Sequence, residues 1–566
     1  MSSRSLKKVW LVSREYAGIA EAGGVKNVAC SLCEGLASKG LDVTLMIPRY
    51  GCTDFVLTTG YTPNVIPPQH IYVDGRDCVV SFDKAHVGKV EVIFIIHQIY
   101  SEKTGVYTYT LADERRNSSH VRGTGFHDAL MMDVLFQKAV LVYGMVSKAL
   151  PQIIHCQDAA TAMIPAMARC VDEFRESYSP VKFAVTVHNA GPGYHHEFHS
   201  LEEAVSYTGI PSSHLIDCMN GGSVEPFLAA GHFAALTTVS PWYAQELLDP
   251  DNKDTMGLSQ LFIGKGYSIT GITNGIDCYR YDPSSKHSSL LPFAFSPEKG
   301  ILEGKYKNRR YFIQNYASAS SKMLSSEFIR SGSISDSDIE GKRGKRAVYF
   351  CYHGRIASQK GIDVLADAAA MLLSARKDVR FLLVGQGESA LENKLSQLAM
   401  NFPGKCVYLQ GYDRAVSRLS TAAADFIVLP SKFEPCGLED FIAQLYGTIP
   451  VAHATGGLKK IIDGKTGFLY EENSGENLFR VLNGLADLAR SDLSKLGKII
   501  ACGAESVQKK YDWTSVIRDK YLPFYRELYF LKFFEKKLKY VLTLFCVWYI
   551  FIYVRNCQFS SAGQST

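Results

Sequence analysis

Three short stretches set charged side chains and glycine turns at the ends of apolar strands, where they could act on an anionic ligand. Ser431–Leu438 reads SKFEPCGL and sets one carboxylate, Glu434, in a turn after an apolar strand; Ala454–Leu458 reads ATGGL, a Thr-Gly-Gly turn opening a helix. Gly354–Asp363 reads GRIASQKGID and places Arg355 and Lys360 in a loop after another strand. Breaking the bond between a sugar and a diphosphate develops positive charge on the ring and negative charge on the leaving phosphate, so cations and amide dipoles belong at the phosphate. Arg355 and Lys360 supply cations. Helix starts near Gly456-Gly457 and near Gly23-Gly24 offer backbone N–H groups to the same anion. Each piece alone has a plainer reading: loop Arg and Lys are solvated, Gly-Gly pairs are turns, and Glu434 caps a helix.

These groups need a scaffold, and its pattern is legible. Val9–Val12 reads as a buried first strand; from Gly24 apolar residues recur at Val25, Val28, Ala29, Leu32, Cys33, Leu36 and Ala37, a helical period that Gly40 stops. Asp42–Pro48 completes a βαβ unit whose first loop is Glu21-Ala22-Gly23-Gly24. Further strands are predicted at Val90–Ile96, Gln152–His155, Phe183–Val187 and Leu236–Val239, several ending at chemically active residues, as ligand sites of open α/β sheets do. A second alternation begins at Ala347–Tyr352, with a helix at Gly361–Ala375 and strands at Arg380–Val384, Val407–Gln410 and Asp425–Leu429. Between the halves, Ala317–Arg346 is rich in Ser, Lys, Gly and Asp, lacks an apolar period, and is predicted to be a mobile insertion.

Composition narrows the class. At 566 residues the chain exceeds what one core usually supports, so two or more domains are expected. A net charge of +5 with 21% charged residues and no basic block argues against a nucleic-acid partner. Fourteen scattered cysteines, mostly inside apolar segments, point to reduced thiols in the cytosol. Cys30 and Cys33 have redox-like spacing, but they fall inside a helix pattern and read as small core residues. The N-terminal apolar run is too short for a signal peptide. No His/Cys/carboxylate cluster has metal-ligand spacing, and no cofactor is expected.

The wording of these pieces closely resembles the bacterial glycogen synthase and plant starch synthase family, which extends an α-1,4-glucan from ADP-glucose. The resemblance runs from about Val9 to about Leu528 and includes TVHN (Thr186–Asn189), TTVSP (Thr237–Pro241) and GITNGID (Gly271–Asp277), in the family's order. It implies a GT-B fold: two doubly wound, Rossmann-like α/β domains facing across a cleft. Expected bounds are 1–283 for the acceptor-side domain, 284–345 for a linker with a polar insertion, and 346–510 for the nucleotide-sugar domain. A crossover helix at 511–530 and an apolar tail at 531–566 complete the chain. By the same resemblance Glu434 contacts the donor glucose, His188 lies beside the reacting sugar carbon, and Asp158 faces the sugar or acceptor. Arg355 and Lys360 serve the diphosphate. Gly23, Gly24, Lys26, Asn274, Cys436, Gly437, Thr455, Gly456 and Gly457 line the nucleotide-sugar site, with Asp277 also in the interdomain region.

Departures gather in the N-terminal half. Where the family's first loop has a lysine and an aspartate, this chain has Glu21 and Asn27, and a carboxylate beside a diphosphate is repulsive. Lys26 is a candidate replacement cation. The family's H-D-W-H has become Gln157-Asp158-Ala159-Ala160, its aromatic-Gln-Gly is replaced by Pro192-Gly193-Tyr194, and the aspartate after TGGL is Lys460. The donor half is thus mostly intact and the acceptor half altered. Two other readings stay open: a GT-B transferase using another nucleotide sugar or acceptor, and a non-catalytic glucan- or nucleotide-binding paralogue. Tyr540–Val554 is an uncharged, mostly apolar run of fifteen residues between Lys539 and Arg555. As a helix it reaches about 22 Å, short of the roughly 30 Å hydrocarbon core, which suits a shallow membrane contact or partner packing better than a full span.

Overall fold

Strands buried on both faces alternate with helices along most of the chain, and the computed structural model gathers them into two α/β domains; it describes residues 5–321, 328–335, 337 and 347–530. The first sheet comprises β1 (Lys8–Val12), β2 (Asp42–Pro48), β3 (Thr59–Val73), β4 (Arg76–Val87), β5 (Val90–Ile96), β6 (Ile153–Gln157), β7 (Lys182–Val187), β8 (Ala235–Thr238) and β9 (Ile269–Gly271). Their order is β9-β8-β7-β6-β1-β2-β5-β4-β3. Pairing is parallel from β9 to β5, while β4 and β3 add an antiparallel hairpin at the edge. Helix α1 (Val25–Ser38) buries Val28, Ala29, Leu32, Cys33, Leu36 and Ala37, the face its period predicts. Cys30 lies on this helix, and burial pushes its thiol up to about 12. Strand β8 leads through Ser240 into the short helix α2 (Pro241–Glu246), which Ser240 caps by accepting from the Tyr243 N–H.

The second sheet comprises β10 (Ile329–Ile334), β11 (Val348–His353), β12 (Val379–Gly385), β13 (Lys405–Gln410), β14 (Phe426–Leu429), β15 (Ile449–His453) and β16 (Phe468–Tyr470). They run in the order β10-β13-β12-β11-β14-β15-β16, with only β10 antiparallel to its neighbour. Helix α3 (Ile362–Ala375) follows β11, and α4 (Glu439–Leu445) follows β14. Phe350 stacks between Phe381 and Phe426 at 5.5 and 5.2 Å, so the three central strands share an aromatic layer.

Two expectations need correction. The predicted mobile insertion at 317–346 contains β10: its Ile-Arg-Ser-Gly-Ser-Ile sequence is too polar for a buried strand but serves at an edge, where one face and one ladder suffice. The predicted linker at 284–345 begins as part of the second domain's packing. Leu291, Phe295, Phe312 and Ile313 join its core, and the buried Lys305 ammonium donates to Ala422 O, Tyr446 O and Thr448 Oγ1 at 3.0, 3.1 and 2.7 Å.

The C-terminal stretch returns to the first domain. Trp513, Val516, Ile517, Tyr521, Tyr525 and Leu528 are built into that domain's apolar core. The Tyr525 hydroxyl lies 2.6 Å from His155 Nδ1, and His155 Nε2 lies 2.7 Å from Thr186 Oγ1. Burial pushes His155 down to about 3, so it is a neutral link at ordinary pH. The apolar run Tyr540–Val554 lies outside the described residues.

Candidate active site

Lys360 and Glu434 meet because two loop ends are allowed to touch. Gly361 ends the single turn that carries Lys360; its φ is +65°, and a Cβ there would stand 1.9 Å from Pro430 O at the end of β14. Only glycine permits that approach. It brings Lys360 Nζ to 2.6 Å from Glu434 Oε2, which also accepts from Ser431 Oγ at 3.0 Å. Burial works against the Lys360 charge, but Glu434 and then Glu439 outweigh it and hold the ammonium above the ordinary lysine range. Gln359 ties the same loops together, donating to Phe433 O at 3.0 Å and accepting from Arg355 Nη2 at 3.2 Å. Glu434 caps no helix; α4 begins at Glu439, whose own carboxylate accepts from the Leu438 N–H.

The Thr-Gly-Gly turn packs backbone against the Glu434 turn. A Cβ on Gly456 would lie 2.0 Å from Glu434 O, and the Gly457 N–H donates to that oxygen at 2.8 Å. The Gly456 N–H is taken by Glu246 Oε1 of the first domain at 2.7 Å. In the first loop, the N–H groups of Ala22 and Gly23 both go to the buried Glu15 carboxylate, which Tyr107 OH also reaches at 2.7 Å. This corrects the expectation that the amides of Gly23, Gly456 and Gly457 face the diphosphate: each is committed to an acceptor within the protein. Thr455 Oγ1 points to Lys432 O at 3.4 Å.

Lys26 also differs from expectation. Its Nζ pairs with Glu21 Oε2 at 2.8 Å, and Glu21 Oε1 accepts from the Gly18 N–H at 2.7 Å. Burial opposes the Glu21 charge, but Lys26, Gly18 and Arg414 prevail and hold its carboxyl below the usual range. The loop therefore carries a neutralised pair in place of a free cation. A cavity of about 650 Å³ opens here, lined among others by Gly18, Glu21, Gly23, Tyr107, Tyr194 and, from the second domain, Arg355.

In the first domain, Asp158 and His188 are adjacent. Asp158 Oδ1 accepts from the His188 N–H at 3.2 Å, and His188 Nε2 lies 2.9 Å from Gln157 Oε1. Burial pushes His188 down to about 4, so it is uncharged at pH 7. Burial pushes Asp158 up to about 7, against the His196 charge and the amides of His188 and Asn189. His196, unassigned from sequence, pairs through Nδ1 with Asp133 Oδ2 at 2.7 Å, and Asp133 Oδ1 binds Arg14 Nη1 at 2.7 Å.

The two halves join through α2. Tyr243 OH accepts from the Ala190 N–H at 2.9 Å, two residues after His188, and its ring packs edge-on against Phe433 at 5.3 Å, beside Glu434. Ser240 Oγ donates to Pro435 O at 2.7 Å. Asn274 is buried between the domains near Cys436, whose thiol burial pushes up to about 11; its Oδ1 has no partner among the described residues. Asp277 lies farther out, accepting from the Arg280 N–H at 3.0 Å. Sequence reasoning missed Glu15, which lies earlier in the same loop as Gly23, and Glu246 and Tyr243, which come from α2; only TTVSP pointed toward α2.

Two facing α/β domains, each built on a mostly parallel sheet, have the GT-B architecture, and the sequence matches are to glycosyltransferases. Residues 8–263 match the starch synthase catalytic domain, and residues 347–487 match the glycosyl transferases group 1 family. A glycogen synthase from Thermodesulfovibrio yellowstonii is 28% identical over 529 residues, covering 92% of this chain and 98% of that protein. One from Lachnospira eligens is 26% identical over 534 residues, covering 93% and 99%. The catalytic domain of starch synthase IV from Arabidopsis thaliana, bound to ADP and acarbose, superposes with a TM-score of 0.71 at 24% identity, covering 93% of this chain and 98% of that one. Sucrose-phosphate synthase from Thermosynechococcus elongatus shares the fold at a TM-score of 0.52 and 16% identity, covering 92% and 99%. The chain is thus similar to the glycogen synthases and starch synthases over most of its length.

Proposed function

We propose that the protein transfers glucose from ADP-glucose, with retention, to the 4-hydroxyl at the non-reducing end of an α-1,4-glucan. The observation that carries this reading is the Lys360–Glu434 pair: a cation and a carboxylate 2.6 Å apart at the domain junction, with Arg355 bordering the cleft. Glu434 holds the donor sugar through its hydroxyls, and Lys360 and Arg355 take the charge that grows on the departing diphosphate. Neutral His188 and its backbone lie toward the reacting carbon, and Asp158 toward the sugar or acceptor. The curated relatives named glycogen synthase support the reaction, and the starch synthase IV structure with ADP and acarbose supports a nucleotide donor and a glucan acceptor.

Radiolabelled transfer from ADP-, UDP- and GDP-glucose to glycogen tests the reading. Label incorporated chiefly from ADP-glucose is the expected result. Incorporation from another donor assigns a different nucleotide preference, and binding of ADP or glucan without incorporation from any donor indicates the non-catalytic paralogue. The Tyr540–Val554 run is proposed, on its sequence alone, as a shallow membrane contact. Full-length protein should then float with liposomes, and protein lacking Phe533–Thr566 should not while transferring glucose unchanged; full-length protein that stays with the soluble fraction refutes it.

A further inference from the structure

Lys460 is a fully buried ammonium at the back of the donor-side turns. Its side chain is 1% exposed, and that of its partner Asp440, 2.9 Å away, is 0% exposed. Nζ also donates to three backbone carbonyls: Cys436 O, Gly437 O at 3.0 Å and Gly457 O at 3.1 Å. It lies 4.5 Å from the centroid of the Phe441 ring. Burial opposes the charge, but Asp440 and then Cys436 outweigh it and hold Lys460 above the ordinary lysine range. One side chain therefore gathers the Glu434 turn, the Thr-Gly-Gly turn and the first turn of α4 around a single charge. Most surface lysines do nothing of this kind, and an isolated buried charge would be expelled; this one persists because every donor is used and the charge is balanced.

The consequence follows from peptide geometry. In a trans peptide the C=O and N–H point to opposite sides. By drawing Cys436 O inward, Lys460 turns the Gly437 N–H to the opposite face of the turn. Among the described residues no acceptor takes that N–H, and the Glu434 side chain adjoins the same glycine, its Cγ 3.4 Å from where a Gly437 Cβ would stand.

We propose that Lys460, balanced by Asp440, is a positioning residue for glucosyl transfer: it orients the Gly437 amide beside the Glu434 carboxylate so that both engage the transferred sugar. This rests on the donor-site reading above. It assigns Lys460 to the sugar and not to the nucleotide, which separates it from a merely structural pair.

The test is Lys460→Met with Asp440→Leu, a double variant that replaces the buried pair by apolar residues of similar size. Such replacements are commonly neutral for stability. Wild-type transfer, measured in the same assay with the nucleotide sugar it prefers, reports separately on the proposed function. For the double variant the expected result is a melting temperature and an ADP dissociation constant close to wild type, with kcat lowered at least about tenfold. A kcat within twofold of wild type overturns the proposal. So does loss of ADP binding in step with kcat, which would mean the whole donor domain has slackened. If the double variant does not fold, Lys460→Gln with Asp440→Asn, which keeps a donor for the carbonyls, is scored by the same two readouts and should show the smaller but still selective loss in kcat.

Discussion

Glu246 in the first domain and Gly456 in the second are joined by a 2.7 Å hydrogen bond from the glycine N–H to the carboxylate. Together with Ser240 to Pro435 and Tyr243 against Phe433, it fastens α2 to the Glu434 turn and the Thr-Gly-Gly turn. A bond between a backbone amide and a charged acceptor contributes about 1.5–3 kcal/mol. Glu246→Ala should therefore loosen the junction and lower kcat/KM about ten- to hundredfold. Steady-state kinetics within twofold of wild type would show that the contact is incidental.

Glu434 and Lys360 are expected to be indispensable for different reasons. On the proposed reading Glu434→Ala removes the contact to the sugar; it also takes away the larger of the two carboxylate interactions, Glu434 and Glu439, that hold the Lys360 charge against burial. Lys360→Ala removes a cation that the proposed reading aims at the departing phosphate. Each should lower turnover at least about a hundredfold while the fold persists, as loss of a group aimed at developing charge does. Circular dichroism establishes the fold; a near-normal kcat in either purified variant refutes the assignment.

The paired first loop predicts a salt-sensitive effect on nucleotide binding. Lys26→Ala leaves Glu21 unneutralised at the cleft, so ADP affinity should fall several-fold at low salt and recover partly at high salt, since exposed charges are screened over about 10 Å at 0.1 M. Adding Glu21→Gln to that variant should restore affinity. Calorimetry that finds Lys26→Ala indistinguishable from wild type at low salt would remove this loop from the nucleotide site.

Asp158 predicts a pH signature. Its carboxyl titrates at about 7 in the fold and near 4 when unfolded, so the folded state binds the extra proton between those values. The stability it contributes is full below about pH 4, declines as pH rises through 7, and is flat above. Asp158→Asn removes that dependence, so the variant's melting temperature relative to wild type should be more favourable at pH 8 than at pH 5. A difference that does not change with pH would show that Asp158 is ionised throughout.

The fold and the chemistry were legible to different depths. Helix α1 and strands such as β2 and β5 declare themselves because a helical period or an unbroken apolar run has few other uses. The β3–β4 hairpin does not: β3 carries Pro63, Pro67 and Pro68 and is largely exposed, so nothing in its pattern demands burial. At the site, Arg355, Lys360 and Glu434 stand out by type, and they converge. The glycine amides were harder. Gly-Gly advertises free N–H groups, but Glu15 folds back from the start of the same loop to take that of Gly23, and Glu246, which takes that of Gly456, comes from a helix of the other domain that only the folded chain brings there. Lys460 read as a departure on an ordinary loop because its partner Asp440 lies on a different element and burial leaves no mark in a lysine's identity.

The residues from Trp513 to Leu528 that complete the first domain's core bear on how the protein is made. On the ribosome, β9 is finished at Gly271, and Trp513 follows roughly 240 residues later, about 12–50 s at common rates of synthesis. During that interval the nascent first domain has an open apolar seam where Tyr521 and Tyr525 will sit, while the second domain is still being translated. Its final closure thus waits for the Trp513–Leu528 stretch, and a chain cut short of Trp513 would carry that seam as an aggregation hazard.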